Sequence, residues 1–398
     1  MPEVLVIGGG LIGAAAARHL AVAGASVVVA GPPEPERWAS HEGVFASHYD
    51  EGRITRKLDA DPVWAELARI SVERYAVLEE SSGVRFFQPG RCLQLLPEGP
   101  GHDASREALK QRARDLDLNI EELSGNALSS RFPALQTAGH SGHLESGTAG
   151  WINPRALVRA QRRLAERSGV RWVPQPVTAL EQNSGRWQAH CANGEILEAD
   201  AVLLSGGAFV NELLDAPLPL QLRTRIVVFA ELDAERLERL SDLPCLLVTL
   251  EQHPRLEDVY LLPPIRYPDG KTYVKIGGSN LPLRTAASVD DLKRWFRQGG
   301  DRDDFEPLRE VLTELIPDLK AAPLHHQPCV TTYTASDRPL ILPLDTGLFA
   351  ATGGCGRAAK SSEALGDLAA RMVLGQAWPQ SFITPNLFTL EAQQQRAA

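Results

Sequence analysis

The chain begins with a glycine-rich turn of the kind that binds phosphate groups. The apolar residues 4–7 lead into Gly8, Gly10 and Gly13, spaced as Gly-x-Gly-x-x-Gly, and an alanine-rich segment follows. Between a strand and a helix, these glycines permit a tight turn, close approach of a pyrophosphate and close packing of the helix on the strand. The N-terminus of the helix then faces the anion. The sequence therefore predicts a dinucleotide-binding site.

The acidic residue typical of nicotinamide-binding folds does not stand at its usual place. In such folds an Asp or Glu at the end of the second strand binds the ribose hydroxyls. Here the second predicted strand covers residues 26–30, and Gly31 follows it. Glu34 or Glu36 could reach back to a ribose, but glutamates after two prolines are equally typical of an ordinary loop. The glycine turn alone therefore does not identify the dinucleotide.

Two arginines three residues apart could bind an anion. Arg53 and Arg56 follow the predicted nucleotide-binding unit, in a segment with small polar residues. On one helical turn the two side chains would share a face and could together bind a carboxylate. The alternative is a solvated basic surface that includes Lys57, and the spacing alone favours it slightly.

Two lysines and a tyrosine farther along the chain are also candidates. Lys360 follows a glycine-rich turn at the start of a predicted helix, where the helix dipole disfavours a cation without an anionic partner. That position indicates a functional role. Tyr260 and Lys275 lie in a β-rich segment, and a single lysine on a strand is usually a surface residue.

The periodicity of the chain predicts two kinds of fold. Strands and helices alternate at the beginning and at the end, with helices expected at residues 62–80, 154–166 and 358–373. Residues 223–231 and 248–276 show β-rich alternation instead. The expected fold class is therefore α/β plus α+β, in which a discontinuous Rossmann-like domain carries an inserted β-rich domain.

The two predicted domains are interleaved along the chain. The nucleotide-binding domain is expected to consist of residues 1–85, 148–217 and 330–398. The inserted domain, which would bind the substrate, is expected to consist of residues 86–147 and 218–329.

The composition excludes several classes of protein. The chain has 398 residues and a formal net charge of -9 at pH 7, without a basic run, which argues against nucleic acid or an anionic membrane as a partner. No segment approaches the roughly 20 apolar residues of a membrane span, and the first predicted strand leaves no room for a signal peptide. We therefore expect a cytoplasmic protein.

Cysteines and histidines are not spaced for disulfides or metal. The 5 cysteines are odd in number and widely spread, without a Cys-x-x-Cys pair, and the 10 histidines are scattered. This pattern is typical of reduced thiols. We predict no metal site.

The motifs taken together resemble a known group of enzymes. The turn at residues 8–13, the segment 47–56 and the turn 354–360 are similar to those of amine-oxidising flavoproteins related to D-amino acid oxidase. Within that superfamily the chain most resembles the group of monomeric sarcosine oxidases and N-methyltryptophan oxidases. The resemblance covers nearly the whole chain, although it is weak in residues 85–145.

The resemblance implies that FAD is the cofactor. The adenosine end would lie over the first glycine turn, and the isoalloxazine ring would lie between the two domains. The residues that the resemblance places against FAD are Gly8, Gly10, Leu11, Ile12, Gly13, Ser47, His48, Arg53, Val177, Gly206, Gly354, Gly356 and Lys360.

The resemblance also implies roles in the reaction. Arg53 corresponds to an arginine beside the flavin, while Arg56 and Lys360 correspond to the pair that binds the substrate carboxylate. Tyr260 lies near the active-site tyrosine of the family, and Lys275 matches the lysine that activates oxygen. A buried cation would stabilise the superoxide anion through which electrons return to oxygen, which favours an oxidase over a dehydrogenase.

The chain departs from the family at positions that set cofactor attachment and selectivity. Thr331 stands where covalent members carry the linking cysteine, and Cys329 lies two residues too early, which favours noncovalent FAD. Arg357 replaces a histidine beside the flavin and could bind a second anionic group of the substrate. Ser279 also replaces an active-site histidine, so these changes favour a substrate other than sarcosine.

We therefore predict an FAD-dependent oxidase of the amine group of a small amino acid or N-alkyl amino acid. It would release an imine, which hydrolyses to an aldehyde or keto product, and hydrogen peroxide. A small carboxylate-bearing amine and molecular oxygen are the expected partners, and the chain is expected to be a monomer or a homodimer.

Two alternatives stay open. The first is an FAD-dependent amino acid dehydrogenase that uses a quinone or protein acceptor. The second is a flavin-binding subunit without catalytic function, although such a subunit has no need of paired cations in a substrate pocket.

Overall fold

The computed structural model describes residues 2–397. Its α-helices are α1 (Leu11–Val22), α2 (Pro62–Ser82), α3 (Asp103–Asp115), α4 (Gly125–Arg131), α5 (Pro154–Arg167), α6 (Ala234–Leu240), α7 (Val289–Gln298), α8 (Phe305–Leu315), α9 (Ala358–Val373) and α10 (Leu390–Ala397). Short 3-10 helices cover Trp38–Ser40, Pro100–His102, Gly207–Leu213, Arg302–Asp304, Pro317–Leu319 and Pro385–Phe388.

The strands fall into three sheets. They are β1 (Glu3–Ile7), β2 (Ser26–Ala30), β3 (Arg53–Thr55), β4 (Phe87–Pro97), β5 (Ile120–Ser124), β6 (His140–Ile152), β7 (Arg171–Val173), β8 (Val177–Asn183), β9 (Arg186–Cys191), β10 (Ile196–Ala199), β11 (Ala201–Leu204), β12 (Gln221–Glu231), β13 (Cys245–Thr249), β14 (Leu256–Arg266), β15 (Thr272–Asn280), β16 (Leu324–Tyr333), β17 (Leu340–Asp345) and β18 (Leu348–Thr352).

The first sheet confirms the predicted Rossmann-like fold. Its strand order is β17-β18-β11-β1-β2-β7, and β1 pairs in parallel with both β2 and β11. β18, from the end of the chain, pairs in parallel with β11. A parallel sheet covered on both faces needs strands that are apolar throughout, which explains the continuous hydrophobic runs of β1 and β11. A separate sheet, β10-β9-β8, lies apart from this path.

Small residues allow helix α1 to pack closely on its neighbours. A Cβ atom added to Gly13 would lie only 1.9 Å from the Gly8 carbonyl oxygen, so any side chain there would push the helix off the strand. On the other side of α1, a Cβ added to Gly366 of α9 would lie 2.4 Å from the Ala15 Cβ. The alanine-rich segment of the sequence is therefore the surface on which α9 packs.

The second large sheet has the strand order β16-β12-β15-β14-β13-β4-β6-β3, with β5 paired to β6. Its antiparallel pairs include β12 with β15 and β16, and β14 with β15. This sheet confirms the β-rich fold expected for the middle of the chain. β6 and β16 run across the predicted domain limits at residues 147 and 329, and those limits stay predictions.

The expectation that Arg53 and Arg56 share one helical turn is wrong. Arg53 lies in strand β3, which pairs antiparallel with β6 in the register Arg53 to Ile152. Residues three apart on an extended chain point in opposite directions. The two arginines therefore contact different carboxylates, Arg53 that of Asp50 and Arg56 that of Asp59.

Among the described helices, none is long and apolar enough to cross a membrane. Residues 2–397 also contain no group of three or more His, Cys, Asp or Glu residues that could hold a metal ion.

A buried carboxylate connects four helices beneath the first sheet. Glu363 of α9 is 1% exposed and accepts a hydrogen bond from Gln161 of α5 at 2.5 Å. His19 Nε2 of α1 lies 2.9 Å from the same carboxylate, and Arg18 and Arg74 form ion pairs with it. Burial alone would raise the pKa of Glu363, but His19 and Arg18 lower it well below its usual range. The carboxylate is therefore ionised and fully paired.

We expect the Glu363→Ala variant to lose about 3 kcal/mol of unfolding free energy, because removal of one partner from a buried ion pair leaves the others unpaired. Because the pKa of Glu363 is lower in the folded chain, its contribution is complete above the ordinary carboxyl range and is lost as the pH falls below about 4. Urea unfolding at pH 7 and at about pH 3 measures both effects. The control is Glu235→Ala, which removes an exposed partner of Arg239. Equal midpoints for the two variants at pH 7 would contradict the assignment.

Candidate active site

The N-terminus of α1 is open to an anion. Gly10 is its N-cap, no side chain caps it, and the first turn carries no acidic residue. The nearest heavy atom to a Cβ added at Gly10 is the His48 Nδ1, at 3.7 Å. Burial, and then Arg155 and Arg53, lower the pKa of His48 to about 4, so its imidazole is neutral at pH 7. Backbone amides and a neutral imidazole together suit a pyrophosphate.

Other residues predicted to contact FAD lie around the same turn. A Cβ at Gly8 would lie 2.4 Å from the Ser205 carbonyl oxygen and 2.8 Å from the Gly206 nitrogen, so the two glycine turns touch. Val177 begins β8 and packs against the apolar cluster under β1 and β2. Ser47 accepts a hydrogen bond from Arg53 at 3.0 Å through its carbonyl oxygen. Leu11 and Ile12 form the first turn of α1.

The glutamates considered for the ribose take different positions. Glu34 forms two hydrogen bonds with Arg155 of α5, one of them 2.7 Å from Nε to Oε2. Arg155 also binds Glu51, at 2.8 Å. Glu34 is therefore already paired, while Glu36 is exposed.

A second tight turn leads into α9. Cys355 has a positive φ of 46°, followed by Gly356 at 70°, and no side chain caps the helix at Arg357. The Tyr333 hydroxyl lies 3.1 Å from the position of a Cβ at Gly356. A larger residue at position 356 would be strained by the backbone and crowded by this tyrosine. Gly354 also meets the helix, because its Cβ would lie 2.6 Å from the Ala358 Cβ.

Lys275 is buried, contrary to the usual behaviour of a lysine on a strand. It is 1% exposed, and its Nζ donates to the Gly52 carbonyl at 2.6 Å and to the Asp50 carboxylate. Arg53 forms an ion pair with the same carboxylate, and the Tyr267 hydroxyl donates to it at 2.8 Å. Asp50 therefore holds both predicted cations, and it was not recognised from the sequence. Its position three residues before Arg53 was the available signal.

Burial sets the protonation of this cluster. Burial and then the Arg53 guanidinium lower the pKa of Lys275 well below its usual range, although its Nζ forms an ion pair with the Asp50 carboxylate. Burial raises the pKa of Tyr260 to about 12, so its hydroxyl keeps its proton. A Cβ at Gly277 would lie 2.6 Å from that hydroxyl. The ring of Tyr260 therefore lies over Gly277 of β15, where the side chain of any other residue would collide with it.

A second buried carboxylate brings together the three cations predicted to bind substrate. Asp59 Oδ2 lies 2.9 Å from Lys360 Nζ, 3.1 Å from Arg56 Nη2 and 3.7 Å from Arg357 Nε. Arg357 also forms an ion pair with Asp337, which is half exposed. The three cations thus lie together, but their shared partner is a carboxylate of the chain itself. Three positive charges around one buried negative charge leave the cluster positive.

Asp59 was not identified from the sequence, although an acid three residues after Arg56 was a signal. Burial raises its pKa, but Lys360 and Arg56 outweigh burial and keep that pKa well below its usual range. Lys360 is 2% exposed, and burial lowers its pKa to about 8 even though Asp59 opposes the shift. Lys360 is therefore mostly charged at pH 7 and loses its charge above about pH 8.

We expect Asp59→Ala to lower the unfolding free energy by about 3 kcal/mol, because it leaves buried cations unpaired. Acetate should raise the urea midpoint of this variant, since the small carboxylate can enter the vacated position, and chloride at equal ionic strength should not. Asp337→Ala, at the half-exposed partner of Arg357, is the matched control and should show no response to acetate. An Asp59→Ala midpoint that is insensitive to acetate would rule out an anion-binding role for the cations.

Comparison with known proteins identifies the family. Residues 3–372 match the family described as FAD dependent oxidoreductase (DAO). The chain is 24% identical over 391 residues to monomeric sarcosine oxidase of Bacillus sp. (strain B-0618), covering 94% of this chain and 92% of the relative. It is 25% identical over 399 residues to N-methyl-L-tryptophan oxidase of Citrobacter koseri, covering 97% and 99%.

A solved structure shows the same fold. A mutant of NikD, an unusual amino acid oxidase essential for nikkomycin biosynthesis, superimposes with a TM-score of 0.78 at 16% identity, covering 98% of this chain and 96% of that one. The match to the family extends over both large sheets and over the turns that lead into α1 and α9. The chain therefore belongs to the FAD dependent oxidoreductase family, and FAD is its cofactor.

Proposed function

We propose that the chain is an FAD-dependent oxidase of the amine group of a small amino acid or N-alkyl amino acid, with an imine and hydrogen peroxide as products. The observation that carries the proposal is the burial of Lys275 beside Arg53, both held by Asp50. A buried cation at this position suits reduction of oxygen, whereas a surface lysine would have favoured a dehydrogenase. The relatives named as oxidases of N-methyl amino acids support the same reaction class.

The residues around α1 fit the cofactor. The open amides at the start of α1, the space above Gly10 and the neutral His48 suit the pyrophosphate of FAD. Gly206, Val177 and Ser47 are proposed to complete this part of the site. When bound, FAD accepts the electrons of the amine carbon and returns them to an acceptor.

Arg56 and Lys360 are proposed to hold the substrate carboxylate. Both are buried or nearly so, and Asp59 fixes their positions without cancelling their combined charge. A positioned carboxylate fixes the amine and its carbon relative to the reacting centre, and this lowers the entropic part of the barrier. Tyr260, whose hydroxyl stays protonated, is proposed to border the same space.

Lys275 is proposed to stabilise the negative charge that oxygen gains with its first electron. The Gly52 carbonyl and Asp50 fix its ammonium group, so the cation needs no reorganisation when that charge forms. Arg53, bound to the same carboxylate, adds a second positive charge near this point.

A panel of amines tests the proposed function. The purified FAD-loaded protein is given N-methyl amino acids and primary amino acids, and the release of peroxide is compared with the reduction of an artificial electron acceptor. Peroxide release at a rate similar to acceptor reduction supports an oxidase. Reduction of the artificial acceptor alone would favour the dehydrogenase, and no reduction by any amine would favour the non-catalytic subunit.

We expect Lys275→Met to slow the reoxidation of the reduced protein by oxygen by about 100-fold, because a preorganised charge is lost. Reduction by the amine without oxygen should change little. The matched control is Lys271→Met, which removes an exposed lysine paired with Glu231 on the neighbouring strand. Stopped-flow absorbance measures both half-reactions. An unchanged rate with oxygen would remove the proposed role of Lys275.

We expect the FAD to be noncovalent. Thr331 cannot form a thioether, and Cys329 lies on β16 opposite Arg225 of β12. Acid precipitation should therefore leave the flavin in the supernatant, as measured by its absorbance. A yellow pellet that becomes colourless in the Cys329→Ser variant would instead identify Cys329 as a covalent anchor.

A further inference from the structure

Arg225 is a buried arginine without an anionic partner. It lies on β12, is 7% exposed, and forms no ion pair or hydrogen bond with its side chain among residues 2–397. Its guanidinium carbon lies 5.9 Å from the centre of the Tyr333 ring. A guanidinium keeps its charge in proteins, and a buried charge is normally paired. A partner from outside the chain is therefore expected.

The face of the sheet that carries Arg225 also carries predicted active-site residues. Arg225 pairs with Cys329 of β16, and two residues farther along β12 Val227 pairs with Gly277. Gly277 in turn pairs with Tyr260, and paired residues of adjacent strands project from the same face. Arg225 and Tyr260 therefore face the same space.

Other polar groups next to Arg225 also lack partners. Arg223, two residues earlier on the same face, lies with its guanidinium carbon 3.6 Å from the centre of the Tyr333 ring. Its Nε is buried without a hydrogen bond, as is the Oγ1 of Thr331, the residue that pairs with Arg223. Burial lowers the pKa of Arg225, and Tyr333 is the first of the groups that raise it. Asp258 is the one carboxylate among those groups, and it is exposed and forms no ion pair with Arg225. On the face of the sheet that carries Arg225, positively charged side chains therefore outnumber carboxylates.

Arg357 and Arg225 differ in their carboxylate partners. Arg357 already has two carboxylates of the chain close by, Asp337 and Asp59, whereas Arg225 has none. Tyr333 connects the two regions, because its ring lies under Arg223 and its hydroxyl lies beside Gly356. The unpaired guanidinium of Arg225 thus lies on the other side of Tyr333 from the cations around Asp59.

We propose that Arg225, with Arg223 beside it, binds a second acidic group of the substrate, so that the enzyme acts on amines with two acidic groups, such as amino or N-alkylamino dicarboxylates. The inference rests on the proposed function, in which Arg56 and Lys360 hold the first carboxylate. Arg225 is then the residue that selects the diacid.

Inert ligands test the site without turnover. Succinate and butyrate have the same chain length and differ by one carboxylate. Succinate should bind the FAD-loaded protein at least 10-fold more tightly than butyrate, measured from the flavin absorbance change and from the rise in unfolding temperature. Arg225→Gln should abolish this preference and Arg225→Lys should keep part of it. Arg266→Gln, at an exposed arginine of β14, should leave it unchanged.

Turnover provides a second readout. N-methylaspartate and N-methylalanine differ by the second carboxylate, and Arg225→Gln should lower kcat/KM for the diacid by about 100-fold relative to the monoacid. Equal binding of succinate and butyrate to the unmodified protein would overturn the proposal. The proposal would also be overturned if Arg225→Gln lost FAD while the unfolding temperature still showed the preference for succinate. If neither amine reduces the flavin but succinate is still preferred, the proposed function fails and the diacid site stands.

Discussion

Ion pairing of buried cations by Asp59 is the constraint on which the candidate active site depends. This one carboxylate lies within 4 Å of cations from two distant parts of the chain, Arg56 after β3 and both Arg357 and Lys360 at the start of α9. Without it, three like charges would repel one another in a region of low dielectric constant. With it, their positions are fixed and a net positive charge remains. Asp59 thus attaches the start of α9 to the edge of the second sheet.

The short strand β3 carries the same arrangement at both of its ends. Asp50 precedes Arg53 by three residues and binds Lys275, while Asp59 follows Arg56 by three residues and binds Lys360. In each case the Asp of an Asp–Arg pair that is close in sequence also forms an ion pair with a lysine from far along the chain. The first assembly contains the residues proposed for oxygen reduction, and the second contains those proposed to bind the substrate carboxylate. One strand of three residues therefore sets the spacing between the two proposed functions.

Local patterns in the sequence predicted those parts of the structure that depend on local interactions. The glycine turn before α1, helix α9 and the α/β alternation were predicted because strand, turn and helix signals lie within a few residues of one another. The conformation around Arg53 was predicted wrongly, because pairing with β6, about 100 residues away, makes it a strand. The burial of Lys275 depends on Asp50, 225 residues distant, and could not follow from its own neighbourhood. Arg225 was not recognised from the sequence, since only the tertiary structure shows that its strand is covered at this position.

The packing of α1 on α9 has a consequence for biosynthesis. β1 pairs with β2 and with β11, so both of its strand partners are present once residue 204 has been made. The alanine face of α1 packs instead on α9, which begins at Ala358. A nascent chain on the ribosome must therefore keep that face uncovered while more than 300 further residues are synthesised, and contacts so distant in sequence slow folding. Such a chain has its greatest need of chaperone protection at α1, during the interval before α9 emerges.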